Sequence, residues 1–144
     1  MCEIKYQQFK YNVKTGRLSE SYQYGSDSNG NVNTLFNLSC YTLTDGSGKE
    51  VGYVSYNVSA TSINSTPNFY DYPQKYLEIG AFHITDVGTF TSTLSYTGET
   101  NIFTPGLRVP TILAGTGFYY NKVDAISIQA NSDGTRDVWI SLKN

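Results

Sequence analysis

The stretch Gly88–Gly98, with the sequence GTFTSTLSYTG, is the part of this chain that decides its fold. Phe90, Leu94 and Tyr96 alternate with small hydroxyl residues and share one face with Ser92. The opposite face carries only small hydroxyl side chains, namely Thr89, Thr91, Thr93, Ser95 and Thr97. A period of two predicts a β-strand with one buried face and one wet face, which is typical of an antiparallel barrel or sandwich.

Two further alternating runs follow a glycine corner in the segment RVPTILAGTGFYY, residues 108–120. In the last run, residues 135–143, Val138, Ile140 and Leu142 point to one side. Trp139 then points outward, where a large aromatic side chain usually needs cover. We therefore expect the outer wall to take part in self-association.

Turn signals recur along the whole chain and separate short alternating runs. They are Thr15-Gly16, Asn29-Gly30, Asp45–Gly48, Asp86–Gly88 and Asp133-Gly134. The runs between them cover roughly residues 3–13, 17–25, 33–44, 50–64, 76–85, 88–98, 109–114, 123–131 and 135–143. No segment has a helical period, and the longest loops are expected at 64–73 and 98–110. This ladder predicts one all-β domain over residues 1–144, a closed antiparallel barrel of about eight strands with an extra N-terminal hairpin or strand.

Composition excludes several function classes. The net charge is −2 and the basic residues are scattered, so the chain lacks a stripe that could follow a nucleic-acid backbone. Cys2, Cys40 and a single histidine do not make a zinc site of the usual kind, and we expect neither metal nor cofactor. A Cys2–Cys40 disulfide is possible, but free thiols are favoured. The chain shows no export signal and no membrane-spanning run, so we expect an intracellular protein.

Four segments in order resemble the dirigent proteins and the related allene oxide cyclases. Ser92–Gly98 is similar to the dirigent run S-T-L-S-x-x-G, and Arg108 with Ile112–Gly117 is similar to R-E-x-x-x-V-G-G-T-G. Ile140–Lys143 resembles the closing strand F-Y-L-K of the cyclases. Leu43–Gly46, followed by Glu50-Val-Gly52, is similar to L-T-x-G...V-G, so the resemblance covers about residues 41–143. It implies a small eight-stranded barrel that assembles as a homotrimer.

The chain departs from these families at the positions that carry their chemistry. The acidic residues before the dirigent L-T-x-G run fall on Cys40 and Tyr41, and the functional asparagine of the cyclases also falls on Tyr41. The dirigent arginines after the glycine corner fall roughly on Tyr120 and Val123. The resemblance therefore implies the fold but not either chemistry.

Candidate site residues follow from side-chain chemistry. His83 is a candidate acid or base if its face, shared with Leu77, Ile79 and Ala81, lines the lumen; otherwise it is a core or rim histidine. Arg108 either binds a carboxylate or polar group of a ligand or pairs with a nearby acid such as Glu99. Five tyrosines are candidates for lining a cavity: Tyr41, Tyr53, Tyr56, Tyr96 and Tyr120. We also expect Arg108, Tyr120 or both to reach a cavity near Gly115–Gly117.

Three functions remain open from the sequence. The first is a barrel that binds a small apolar or aromatic ligand without clear catalytic residues. The second is an isomerase or cyclase that acts by confining a reactive substrate. The third is a structural or interaction protein whose lumen is filled by its own side chains. Binding or structural use ranks above catalysis, because the acidic and arginine positions of the similar families are replaced.

Overall fold

The structure is a computed structural model that describes residues 5–62, 74–98 and 105–143. These residues form ten β-strands and no helix, so no helix there could span a membrane. The strands are β1 (Lys5–Asn12), β2 (Arg17–Ser26), β3 (Val32–Asp45), β4 (Glu50–Ser62), β5 (Gln74–Ile84), β6 (Gly88–Gly98), β7 (Gly106–Arg108), β8 (Thr111–Gly117), β9 (Val123–Ala130) and β10 (Thr135–Leu142). The all-β prediction is confirmed. Cys2 and most of the two long loops expected from the sequence lie outside the described residues.

The strands form one antiparallel sheet that curls into an open half-barrel rather than the closed barrel expected. The sheet order is β7-β9-β10-β1-β3-β4-β5-β6-β8, and β2 pairs with β3 beside this path. In the described part of the chain the sheet thus has two ends, β7 and β8, and no ladder joins β8 to β9. β2 is the extra N-terminal strand.

The opening has a local cause in the chain around the glycine corner. The strand expected at 109–114 begins only at Thr111, because Pro110 has no N–H to pair in a ladder, and a separate short strand, β7, precedes it. β7 then pairs with residues 128–130 of β9 and occupies part of the edge that β8 would need. After β8, Gly117 has a φ of 58°, and the turn through Tyr119 and Lys122 carries the chain away before β9 begins.

The expected turns are confirmed where strands reverse. Gly30, Gly48 and Gly134 have positive φ, as does Asp86 in the turn between β5 and β6. Asp45 organises its turn by accepting hydrogen bonds at Oδ1 from the backbone N–H groups of Ser47 and Lys49. These short reversals fix the register of the neighbouring strands.

Strand alternation divides the concave interior into three layers. The larger apolar cluster lies at one end and includes Leu43, Val54, Phe82 and Phe90 among many others. A smaller cluster of Leu35, Ala60 and Tyr76 lies toward the other end of the same strands. Between the two clusters the inward-facing positions are polar: Asn37, Ser39, Glu78, Ser92 and Arg136. We call this middle level the polar layer.

Candidate functional site

The polar layer is built from adjacent rows of inward-facing residues on β3 to β6. Ser39 pairs with Tyr56, Tyr56 with Gly80, and Gly80 with Ser92. A Cβ on Gly80 would lie 2.8 Å from Cε1 of the Tyr56 ring, so only glycine lets this ring lie across β5. Small neighbours therefore make room for one large phenol in the middle of the sheet.

Tyr56 meets Tyr11 across the concave face. Their hydroxyl oxygens lie 2.7 Å apart in a hydrogen bond that joins β4 to β1. The Tyr11 ring also stacks on Tyr41, with ring centroids 5.6 Å apart. Burial raises the pKa of both Tyr11 and Tyr56 well above the ordinary value of a phenol, so both stay protonated at any physiological pH.

Glu78 brings a carboxyl group into the next row of the same layer. It pairs with Val58 on β4 and with Leu94 on β6, and both neighbours are apolar. The Tyr96 hydroxyl donates a hydrogen bond to Glu78 Oε1 at 3.1 Å. Burial raises the pKa of Glu78, although the positive charges of Arg108 and Arg136 and the Tyr96 hydrogen bond oppose that shift.

Two arginines reach the polar layer from the other side of the half-barrel. Arg136 on β10 pairs with Tyr11 in the sheet and is only 2% exposed. Its guanidinium donates to the backbone oxygens of Asn131 and Thr135. Arg108 lies on β7, opposite Ile128 of β9. Both guanidinium groups stabilise negative charge that develops in the layer.

Two small cavities flank this cluster. One has a volume of about 50 Å³ and is lined by Tyr41, Asn37, Arg136 and others, and the second, of about 20 Å³, is lined by Ser92, Pro110 and others. Four side chains line both cavities: Tyr11, Tyr56, Glu78 and Arg108. The interior is therefore largely filled, and the space beside the cluster suits one polar head group or a few waters.

The structure brings together only some of the residues chosen from the sequence. Tyr41 and Arg108 line the 50 Å³ cavity, and Tyr96 holds the Glu78 carboxyl that faces it. Arg108 lines the cavities of the polar layer, whereas the cavity that includes Gly115 is lined by Tyr120. Tyr56 is at the centre of the site.

Tyr53, His83 and Tyr120 lie elsewhere. Tyr53 is 44% exposed on the convex face, and its ring centroid lies 4.5 Å from that of His83. His83 points to the convex side with Leu77 and Ile79, rather than into the lumen, and its Nδ1 lies 3.0 Å from Thr89 Oγ1. Tyr120 is 74% exposed and lines a separate cavity of about 450 Å³ between β8 and the start of β9.

Sequence reasoning missed Glu78, Tyr11 and Arg136. A signal for Glu78 was present, because alternation in β5 places it on the same face as Tyr76, Phe82 and Ile84. A carboxyl on an otherwise apolar face of a strand indicates a functional or paired group. Arg136 carries a similar signal, since it precedes Val138 and Ile140 on the buried face of β10. Tyr11 was not distinguishable from a packing tyrosine.

The donor set around the polar layer suits organic ligands. Among residues 5–62, 74–98 and 105–143, no group of three or more histidine, cysteine, aspartate or glutamate side chains could hold a metal ion. The layer instead offers phenol hydroxyls, a carboxyl group and guanidinium groups beside apolar walls. Such a set can bind the polar end of a small molecule and can exchange a proton with it.

Comparisons with known proteins support the fold. No family model matches the chain, and no curated protein sequence matches it. Among solved structures, the chain is similar to one described as a pyocyanin demethylase, with a TM-score of 0.61 and 16% sequence identity. The match covers 96% of this chain and 100% of that one. The similarity places this chain in the same barrel-like all-β architecture as that protein.

Proposed function

We propose that this protein binds a small, flat, partly polar molecule on the concave face of its half-barrel, with the polar end of the ligand in the polar layer. The observation that carries this proposal is the cluster of Tyr11, Tyr56, Glu78 and Arg108, which lines both inner cavities. Burying such groups costs free energy that apolar side chains of similar size would not cost. A ligand that uses these groups accounts for their place in the core.

The surroundings of the cluster favour a ligand with an apolar part beside its polar end. Val58, Leu94, Pro110 and Ile128 provide apolar walls beside the polar groups. Pockets with mostly apolar walls and a few polar anchors are typical of small-molecule sites. A solved structure of similar fold is named for action on pyocyanin, which supports small-molecule use of the architecture.

Native mass spectrometry of the protein purified without refolding tests this proposal. Wild-type protein is expected to carry a bound small molecule that is released on denaturation. Ser92→Leu places a large side chain in the site, since Ser92 is only 3% exposed on the concave face. Thr93→Leu introduces leucine on the opposite face of β6 and serves as the control. We expect Ser92→Leu to lose the ligand and Thr93→Leu to keep it, with circular dichroism confirming that both fold. A ligand that stays in both variants would place the binding site outside the polar layer and refute this proposal, and no ligand in wild type would favour a filled structural barrel.

One observation favours a second candidate function, acid–base catalysis. Glu78 is a buried carboxyl with a raised pKa inside a cavity, and such groups concentrate at catalytic sites. A ketone whose carbonyl oxygen accepts a proton from Glu78 loses an α-proton to water more readily. We therefore expect faster exchange of the C2 protons of 1-indanone in D₂O, followed by NMR, and loss of the effect in Glu78→Gln. Exchange at the uncatalysed rate would leave binding as the function.

We also propose that the protein self-associates as a homotrimer through its convex face. Phe36 and Leu38 on β3 and Leu77 and Ile79 on β5 are exposed there, and Trp139 is half-buried on the outer side of β10. Several large apolar side chains exposed on one face favour an interface there. Light scattering is expected to give three times the monomer mass of 16.0 kDa, and Ile79→Lys is expected to lower it. A monomeric mass at micromolar concentration refutes this.

A further inference from the structure

The Tyr11–Tyr56 pair has a proton to offer beyond its own hydrogen bond. Each phenol carries one proton and two lone pairs, and the 2.7 Å contact between the two oxygens uses only one of the two protons. The hydroxyl that accepts must direct its own proton away from the pair. Both side chains line both cavities together with Glu78, so the free proton can be directed into this shared space.

Glu78 brings a carboxyl group to the same space, and its protonated form can donate a second hydrogen bond there. Tyr96 donates to Oε1, which leaves Oε2 for another partner. The apolar neighbours Val58 and Leu94 favour the neutral form of the carboxyl, and burial raises its pKa accordingly. A protonated Glu78 acts as a donor through its hydroxyl rather than as an anionic acceptor.

We propose that the Tyr11–Tyr56 pair and Glu78 form a two-donor site for one carbonyl oxygen, so that the ligand is a small planar ketone or a related carbonyl compound. A carbonyl oxygen has two lone pairs and accepts two hydrogen bonds near its plane. The inference rests on the proposed function and specifies which polar end the polar layer takes. The carbonyl end of such a ligand occupies the space beside the cluster, where Pro110 and Ile128 provide apolar walls.

A matched set of probes separates this inference from the proposed function. 1-Indanone carries the carbonyl, 1-methyleneindane has the same shape with a C=CH₂ group, and indane-1-carboxylate carries an anion. Dissociation constants come from protein NMR titrations. The ketone is expected to bind about tenfold or more tightly than the alkene, as two neutral hydrogen bonds imply. Infrared spectroscopy of the bound ketone should show its C=O stretch at lower wavenumber than in water-free solvent.

Variants then test which groups donate. Either single change, Tyr11→Phe or Tyr56→Phe, leaves one phenol with its proton, so the ketone preference is expected to persist. The double variant removes both protons and is expected to lower the preference severalfold. Glu78→Gln keeps an N–H donor and should retain the preference, whereas Glu78→Met should reduce it. Thermal unfolding confirms that each variant folds.

The outcomes distinguish the two proposals. Equal binding of ketone and alkene, or tighter binding of the carboxylate, overturns the two-donor site and leaves the proposed function standing. A ketone preference that survives in the double tyrosine variant and in Glu78→Met also overturns it. Binding of none of the three probes overturns the proposed function and the inference together.

Discussion

The hydrogen bond between Tyr11 and Tyr56 lets us predict how much stability is lost when one or both hydroxyls are removed. The two hydroxyls are hydrogen-bonded to each other in the polar layer; the Tyr11 ring lies in the larger apolar cluster and the Tyr56 ring packs against it. Replacing either residue by phenylalanine removes one oxygen and leaves the other without its partner. Replacing both removes the pair and keeps both rings in place.

The expected cost follows from the geometry of the pair. A neutral intramolecular hydrogen bond contributes about 0.5–1.5 kcal/mol net, and a buried hydroxyl left unsatisfied costs about 1–3 kcal/mol. Because two small cavities adjoin the pair, water can hydrogen-bond to the hydroxyl that remains and offset part of this cost. We therefore expect each single variant to lose about 1–2 kcal/mol of unfolding free energy. The double variant should lose about the same amount as either single variant, which gives a coupling energy of about 1–2 kcal/mol in magnitude.

Urea unfolding followed by circular dichroism measures these free energies. Tyr6→Phe is the matched control, since Tyr6 is 66% exposed on the same strand as Tyr11 and should change stability very little. The m-value should stay constant across the set, so that the midpoints report stability alone. If the double variant loses the sum of the two single losses, the hydroxyls do not act as a pair and the reasoning fails.

Three further predictions concern the neighbours of the pair. Gly80→Ala should lower the free energy of unfolding by about 1–3 kcal/mol, because the added Cβ would clash with the Tyr56 ring. Gly46→Ala is the control, since an added Cβ there would have its nearest neighbour at 3.8 Å and should change stability little. Urea unfolding measures both variants. Folding raises the pKa of Glu78. At pH values above the ordinary pKa of a carboxyl group, the folded protein therefore binds more protons than the unfolded chain does. The stability of the wild type should therefore fall relative to that of Glu78→Gln as pH rises. A difference in melting temperature between the two proteins that stays constant from pH 4 to 8 would contradict this. Phe82→Ala should cost about 3–5 kcal/mol at a fully buried position, and a smaller loss in urea would show that the larger cluster collapses into the cavity.

The strands were predictable because each one carries a local signal. Period-two alternation over 88–98 and 135–143 placed Phe90, Ser92, Val138 and Ile140 inside, and all four are buried. Turn residues marked the reversals, since a positive φ favours glycine, asparagine and aspartate. Closure of the sheet has no such local signal. It depends on which strand takes the free edge of β9, a competition between β7 and β8 that the one-dimensional pattern around Pro110 does not express.

The site was less predictable because its residues were judged one at a time. His83 attracted attention as the single histidine of the chain, yet alternation in β5 sends it to the convex face whenever Phe82 is buried. The same alternation sends Glu78 inward, into a row where its neighbours on β4 and β6 are apolar. A carboxyl there must be paired, protonated or in use, because an isolated buried charge costs too much to persist. The burial pattern of each strand therefore identifies the reactive group in this fold better than the reactivity of the free side chain.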